Sequence, residues 1–581
     1  GVEWELLGIY SNTLDLWSIH YISEDDIWVT DYCSPIHWDG NEWSLYHIQN
    51  MGAVIILYFL LVVSVGFYFS RRTNDTTEYF LAGRNVGWIA IGASLFASNI
   101  SSEHFIGLAG TGSSSGLAVG HFEWLAAFMV LFLGWIFVPF YLKSGVFTMP
   151  EFLERRYGKA SRMYLTSVSI VAYVITKISV TLFAGGLLLN KILGWDMMTS
   201  AIVLIIVTGI YTIAGGLSAV IYTELVQAFI LIGGAIALTL LGLNEVGGFT
   251  GLQAKLPPEY FQMFKAFDHP DFPWTGIIFG APILGVWYWC TDQFIVQRVL
   301  SAKNINHARS GAILAGFLKI LPVFILVLPG LIAAALFGTT GDEAYPTLVT
   351  SYLLPSGIKG IVIASLLAAL MSSLASVFNS TSTLFTIDFY KNFRPESSEV
   401  ELVLVGRLAT AVMVVLGVLS VPLITMLSGQ LFVYLQSVQA YISPPIAAVF
   451  ILGIFWTRAN SQGAISALGV GAVLGALRFI LEIMVKSGTS LGSFEWFATM
   501  NFLHFAVFLF VISVGVVVIV SLSTAAPNKQ RISGLTLATA SEMQTDMSRR
   551  MDDQNAKWNR INVIASVVLV ITILVLWMKF A

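Results

Sequence analysis

Charge is scarce in this chain: 11% of its 581 residues are Asp, Glu, Lys or Arg, where a soluble domain has about a quarter. That shortage excludes an ordinary soluble domain. The two cysteines, Cys33 and Cys290, lie in a polar N-terminal segment and inside an apolar run, so no disulfide is expected. The chain also lacks C-x-x-C, H-E-x-x-H and G-x-x-x-x-G-K-[ST] motifs, which leaves no metalloenzyme signature and no phosphate cradle for ATP. An enzyme has nothing here to support it. A basic segment followed by a short apolar stretch is missing, so no cleavable signal peptide is expected, and the start at Gly1 rather than Met suggests that something upstream was removed.

Apolar residues are abundant instead, at 56%, and they recur in runs of about twenty, the length that crosses a bilayer core. The runs predict an all-α polytopic membrane protein with about fourteen transmembrane helices. They fall near 51–70, 87–112, 117–142, 163–190, 198–216, 220–243, 275–298, 308–338, 356–378, 403–427, 430–456, 462–485, 502–524 and 561–580. Alternate loops hold 21 of the 30 Lys and Arg residues, which assigns those loops to the cytoplasm. The first fifty residues have nine Asp and Glu and no Lys or Arg, so they belong outside. By the same count Ala581 ends outside.

Residues 17–48 alternate polar and apolar side chains around the turn-prone Trp38-Asp39-Gly40-Asn41, which predicts short β-strands in a small extracellular segment. The stretch resembles one blade of the propeller domains on bacterial sensors. A single blade cannot bury both faces. It is either an extracellular cap or the remnant of a larger sensor domain. The outer loop 244–274, rich in Gly, Pro and aromatics, is expected to cap a vestibule, and the polar inner loop 525–560 reads as a solvated helix.

Ionisable residues inside spans are costly and default to functional hypotheses. They are Glu103, His104, Glu123, Lys177, Glu224, Asp292, Lys319, Arg478 and Glu482. Arg478 and Glu482, spaced i, i+4, are expected to pair locally, and Lys177 to serve a structural role. The stretches GASLFASNISSEHFIGLAGTG and FGAPILGVWYWCTDQFIVQR are both interrupted by Gly, Pro or polar residues, with four helices between them. This is the signature of two inverted five-helix repeats whose first members are broken at the midplane. A broken helix frees backbone carbonyls to hold a cation. Ser372 and Ser373 would complete a hard-oxygen shell, although such a pair alone is more often interhelical packing.

At this point several motifs converge. GASLFASNISSEHFIGLAGTG, HFEW, KSGVFTMPEFLERRYG, GGLSAVIYTELVQ, WYWCTDQFIVQR, GFLKILP, LMSSLASVFNSTSTLFTIDFY and GQLFVYLQSV resemble the sodium/solute symporter family, and within it the sodium-glucose cotransporters. The resemblance runs from about residue 51 to 524, more weakly to 581, and excludes the head. It implies a LeuT-type core, alternating access and a sugar site. The implied division is 1–50 extracellular segment, 51–86 leading helix and inner loop, 87–243 first repeat, 244–274 extracellular loop, 275–456 second repeat, and 457–581 additional helices. The implied sodium ligands are the carbonyls of Ala97, Ile100 and Ala369 and the hydroxyls of Ser372 and Ser373. The implied sugar residues are Asn99, His104, Glu123, Trp287, Tyr288, Trp289, Lys319 and Gln436, with Tyr288 as inner gate. Mixed donors and acceptors about an aromatic platform suit a pyranose, and Glu123 with Lys319 could equally be a structural pair.

Departures matter too. Members using a second sodium have Asp where this chain has Glu224 and Thr where it has Ala375, so one sodium per sugar is expected. Asp292 is expected in a cytoplasmic-side charge network, together with Glu224 as a possible member. The expected partners are sodium, a small sugar and the lipid bilayer, with no nucleic acid, and a monomer at the plasma membrane suffices. Two rivals stay open: a sugar sensor or sugar-gated channel, and a myo-inositol symporter, since SEHFIGLAG also resembles the family's inositol carriers.

Overall fold

The structure, a computed structural model, describes residues 18–23, 26–30, 35–38, 43–45, 48–70, 75–101, 103–351, 353–424, 431–543 and 546–581, with side chains from residue 52 onward apart from a few positions. Cys33, Arg71, Arg72 and Ser102 lie outside the described residues. At the N-terminus β1 (Ser18–Ser23), β2 (Asp26–Thr30), β3 (Pro35–Trp38) and β4 (Trp43–Leu45) pair antiparallel in chain order.

Among the described residues eleven helices are long and apolar enough to cross a membrane, and two shorter apolar helices accompany them. The helices that frame the site are α1 (Ile48–Ser70), α2 (Trp88–Asn99), α3 (103–115), α4 (121–144), α5 (Lys159–Lys191), α6 (Met197–Val246), α7 (Gly276–Thr291), α8 (Gln293–Leu300), α9 (Ile305–Phe337), α10 (Ser356–Thr383) and α11 (Glu399–Ile424). They are followed by α12 (Leu431–Phe455), α13 (Ser461–Lys486), α14 (Phe502–Ser523) and α15 (Lys557–Lys579). The spans expected at 198–216 and 220–243 have no loop between them. They form one 50-residue helix whose direction changes at Gly216, where φ is 54° and ψ −150°. A Cβ there would sit 2.4 Å from the Tyr79 carbonyl, so a single glycine supplies the whole turn.

The two interrupted stretches break as their residues dictate. Helix α2 ends at Asn99 because Ile100 adopts φ −73° and ψ 108°, outside the helical region. Ser101 then offers the backbone an alternative partner: its hydroxyl accepts the Glu103 amide at 3.2 Å, and its carbonyl accepts the His104 amide at 2.9 Å, which starts α3. Asp292 plays the corresponding part between α7 and α8, with φ −77°, ψ 126° and a carboxylate that accepts the Phe294 amide at 3.2 Å.

The core lies where α6 packs along α10 and α2 crosses α9. Packing of α9 on α3 is equally close, since a Cβ on Gly330 would fall 1.9 Å from the Ala109 carbonyl. Within the loop 244–274 the buried Met263 donates its amide to the Phe580 carbonyl at 2.9 Å, and its carbonyl meets His121 Nε2 at 3.0 Å, which ties the loop to both α4 and the chain's last helix.

One expected pairing is absent. Arg478 donates to the Phe497 and Met500 carbonyls at 2.7 and 2.8 Å, while Glu482 pairs with Lys486 at 2.8 Å and accepts Tyr441's hydroxyl. The buried guanidinium is satisfied by two backbone carbonyls from the following connection rather than by a carboxylate one turn away on a partly exposed face.

Candidate functional site

A cavity opens where α2 and α3 separate, between α4, α5, α7, α9 and α12. Its walls include Asn99, His104, Glu123, Tyr288, Trp289, Lys319 and Gln436, so seven of the eight sugar residues expected from the sequence meet at one place. Trp287 is the exception. It packs in the apolar core beside Tyr288, with ring centroids 6.2 Å apart, and reaches the cavity wall nowhere.

The polar wall is one connected network. Lys319 donates to both Glu123 Oε2 and Asn99 Oδ1, and Asn99 Nδ2 donates to the Tyr288 hydroxyl at 2.9 Å. His104 Nδ1 accepts the Ser101 amide at 3.3 Å, which places the ring proton on Nε2, facing Glu123 Oε1 at 3.4 Å. Lys319 also lies 5.5 Å from the Trp289 ring centroid. With every member nearly buried, a charged pair this dry needs all its partners, and the network supplies them. Glu123 keeps further acceptor positions, and the Gln436 amide, able both to donate and to accept, stands in the same wall.

Beside this cavity, the end of α2 meets α10. Ser372 Oγ donates toward the Ala97 carbonyl at 2.8 Å and the Ala369 carbonyl at 3.0 Å, while Ser373 Oγ reaches the Ser98 carbonyl at 3.2 Å. Ala97, Ile100, Ala369, Ser372 and Ser373 are all buried. The Ser98 carbonyl was not anticipated. Its availability follows from α2 ending at Asn99, which frees the last carbonyls of the helix together.

Two further groups fall deeper. Glu224 accepts from Arg298 Nη2 at 3.0 Å and from Ser94 and Ser376, in a fully buried pair. Asp292 makes no ion pair among the described residues. It accepts Tyr173's hydroxyl and caps α8, which holds the break between α7 and α8.

Sequence reasoning passed over Glu103, Lys177 and Gln439 as cavity residues, and the structure places all three in the wall. The signal was present for the first two, as charges inside spans, yet nothing in a linear sequence shows that α3 and α5 present them to the same space.

A model of the sodium:solute symporter family matches residues 79–471. The chain belongs to that family. Among similar proteins, sodium/glucose cotransporter 4 of Mus musculus is 43% identical over 86% of this chain and 79% of its own length. Sodium/glucose cotransporter 1 of Oryctolagus cuniculus is 43% identical over 81% of this chain and 78% of its own. The sodium/myo-inositol cotransporter of Homo sapiens is 42% identical over 83% and 74%. A solved Na+-coupled sialic acid symporter, in a substrate-bound outward-open state, shares the fold with a TM-score of 0.71 at 24% identity, covering 83% of this chain and 99% of that one. This family member is therefore a helical membrane protein with the fold of a cation-coupled symporter, in agreement with the all-α, broken-helix reading of the sequence.

Proposed function

We propose that the chain is a sodium-coupled sugar symporter that imports glucose or galactose down the sodium electrochemical gradient by alternating access, with one sodium per sugar. The observation that carries this reading is that a single helix end joins both proposed sites: α2 gives its Ala97 carbonyl to Ser372 and, two residues on, its Asn99 amide to the Lys319–Tyr288 network. An ion that fixes the end of α2 fixes half of the sugar cage, and preorganisation raises sugar affinity.

In this reading sodium is cargo, held by the carbonyls of Ala97, Ile100 and Ala369 and the hydroxyls of Ser372 and Ser373, whose mutual hydrogen bonds it exchanges for ion–oxygen contacts. The sugar lies against Tyr288 and Trp289, hydrogen-bonded by Asn99, His104, Glu123, Lys319 and Gln436. Tyr288 is the inner gate, a ring whose displacement frees the cavity toward the cytoplasm. Glu224 is already neutralised by Arg298, which supports a single coupling ion. The membrane potential contributes about 2.3 kcal/mol per charge per 100 mV.

In this reading the chain makes about fourteen crossings of the plasma membrane, with repeats at 87–243 and 275–456 and the segment 1–50 as an extracellular cap; the Lys and Arg distribution supports both termini outside. A monomer contains every residue of the proposed cycle. A second reading, myo-inositol as cargo, is favoured by the similarity to the sodium/myo-inositol cotransporter.

Uptake of labelled glucose into proteoliposomes under an inward sodium gradient, with potassium as control, tests the proposal. Sodium-dependent accumulation is expected; sodium-dependent binding without accumulation would make the protein a sensor instead.

A further inference from the structure

The segment 145–149, which joins α4 to the short helix Met149–Arg156 ahead of α5, is held by side chains from both interrupted helices. Arg84, shortly before α2, donates from Nη2 to the Gly145 and Val146 carbonyls at 2.8 and 3.2 Å, and its guanidinium sits 5.4 Å from the Phe147 ring centroid. Gln293, the first residue of α8, donates to the Phe147 carbonyl at 3.2 Å and accepts the Met149 amide at 2.9 Å. Two side chains thus take three successive carbonyls and one amide of this connection. They belong to one unit, because Val86 donates its amide to the Ser301 carbonyl at 3.0 Å and accepts the Lys303 amide at 3.2 Å, which ties the start of α2 to the end of α8. The segment is anchored on its other side to different helices. Thr148 Oγ1 donates to Asp388 Oδ1 at 2.8 Å, just past the end of α10, and the same oxygen accepts Arg162 Nε of α5 at 2.7 Å.

We infer that segment 145–149 is a latch that keeps the cytoplasmic end of the cavity shut, with Arg84 and Gln293 as its hooks and Asp388 as its anchor. The inference rests on the alternating-access reading above and names the contact that must break in each cycle. Tyr288, the proposed inner gate, precedes Gln293 by little more than one helical turn. Displacing that ring toward the cytoplasm carries the start of α8 with it, so Gln293 leaves the segment. Because α2 and α8 are bridged at Val86, Arg84 leaves as well. The anchor at Asp388 stays behind with α5 and α10. Both hooks hold backbone groups, and on opening water takes the places they vacate. A hydrogen bond exchanged for one to water has a small net worth, which suits a closure that is made and broken repeatedly.

The test is hydrogen exchange of the full chain in detergent, resolved to the Met149 amide by overlapping peptides, with potassium, with sodium, and with sodium plus glucose. Sodium, by favouring the outward-facing state, is expected to slow exchange at Met149 about threefold or more, and glucose added with sodium to restore it, while Val86 and Lys303 stay constant. A Met149 rate indifferent to both solutes, while the Glu103 and His104 amides at the α2–α3 break respond to them, overturns the latch. Indifference at both places refutes the sodium–glucose reading instead. The latch is then decided in the ligand-free protein by Arg84→Met, which deletes one hook and leaves the Gln293–Met149 bond itself untouched. Exchange at Met149 about fivefold or more faster, with Val86 and Lys303 unchanged, upholds it. An unchanged Met149, or a rise shared by Val86 and Lys303, overturns it. Arg84→Lys, which keeps the charge and lacks the planar guanidinium, replaces Arg84→Met under the same criteria if that variant folds poorly.

Discussion

Replacing Ser372 with Ala isolates the proposed ion site from the rest of the fold. The substitution deletes one oxygen that lies 2.8 Å from the Ala97 carbonyl and 3.0 Å from that of Ala369, and it changes little volume. In the ion-free protein the loss is one shared hydroxyl proton, about 1 kcal/mol, which a folded membrane protein tolerates. With sodium bound it removes one of the five proposed oxygen ligands, and an interaction with a charged partner is worth about 1.5–3 kcal/mol. That converts to a rise of about ten- to a hundredfold in the sodium concentration for half-maximal uptake. The assay is sodium-dependent sugar uptake in proteoliposomes at saturating sugar, paired with sodium-dependent thermal protection in detergent. Ser373→Ala should shift the same curve less, because its hydroxyl contacts the Ser98 carbonyl at a longer 3.2 Å. An unchanged sodium dependence in a folded Ser372→Ala protein would refute the site and, with it, the coupling through α2.

Arg298→Met strands the buried Glu224 carboxylate, so the protein should lose about 3–5 kcal/mol of stability, read as a lowered thermal unfolding midpoint; an unaltered midpoint would contradict the pairing. Tyr288→Phe removes the acceptor for Asn99 Nδ2 at 2.9 Å and should raise sugar half-saturation about three- to tenfold, while a variant matching the parent would take the hydroxyl out of the site. In the loop after α6, burial holds the His269 imidazole below its ordinary pKa, and its Nδ1 accepts the Asp271 and Phe272 amides at 3.2 and 3.0 Å. A histidine lowered in the folded state keeps its full contribution above the unfolded value near 6.5 and loses it as pH falls below that. Protection factors across 262–274, which remove the intrinsic pH dependence of exchange, should therefore fall on acidification below about pH 6.5, and His269→Asn should abolish that fall; a fall that persists in the variant assigns it elsewhere.

The broken helices were legible because their cause is local. Asn99, Ser101 and Asp292 compete for backbone hydrogen bonds within a few residues, and an apolar run cannot hide them. Charges within spans were legible for the same reason, since a bilayer makes each one costly wherever it lies in the chain. Less local features were misread. Arg478 and Glu482 have pairing distance on a helix, yet the carbonyls of Phe497 and Met500, which arrive from the next connection, take the guanidinium. Gly216 turns α6 without a loop through its positive φ, and Tyr79, far away in the chain, comes too close there for any side chain.

By itself the sequence determined the membrane-spanning class, the places where α2 and α7 are interrupted, and which polar residues had to be accounted for, because hydrophobic length and backbone competition act over short stretches. Tertiary structure decided which of those residues share a space. It put Lys319 of α9 against Glu123 of α4, set the Ser372 hydroxyl of α10 on the Ala97 carbonyl, turned Trp287 into the core, and brought Glu103 and Lys177 to the same wall. Such juxtapositions depend on how helices distant in sequence pack, and packing is a property of facing surfaces that no single stretch of residues contains.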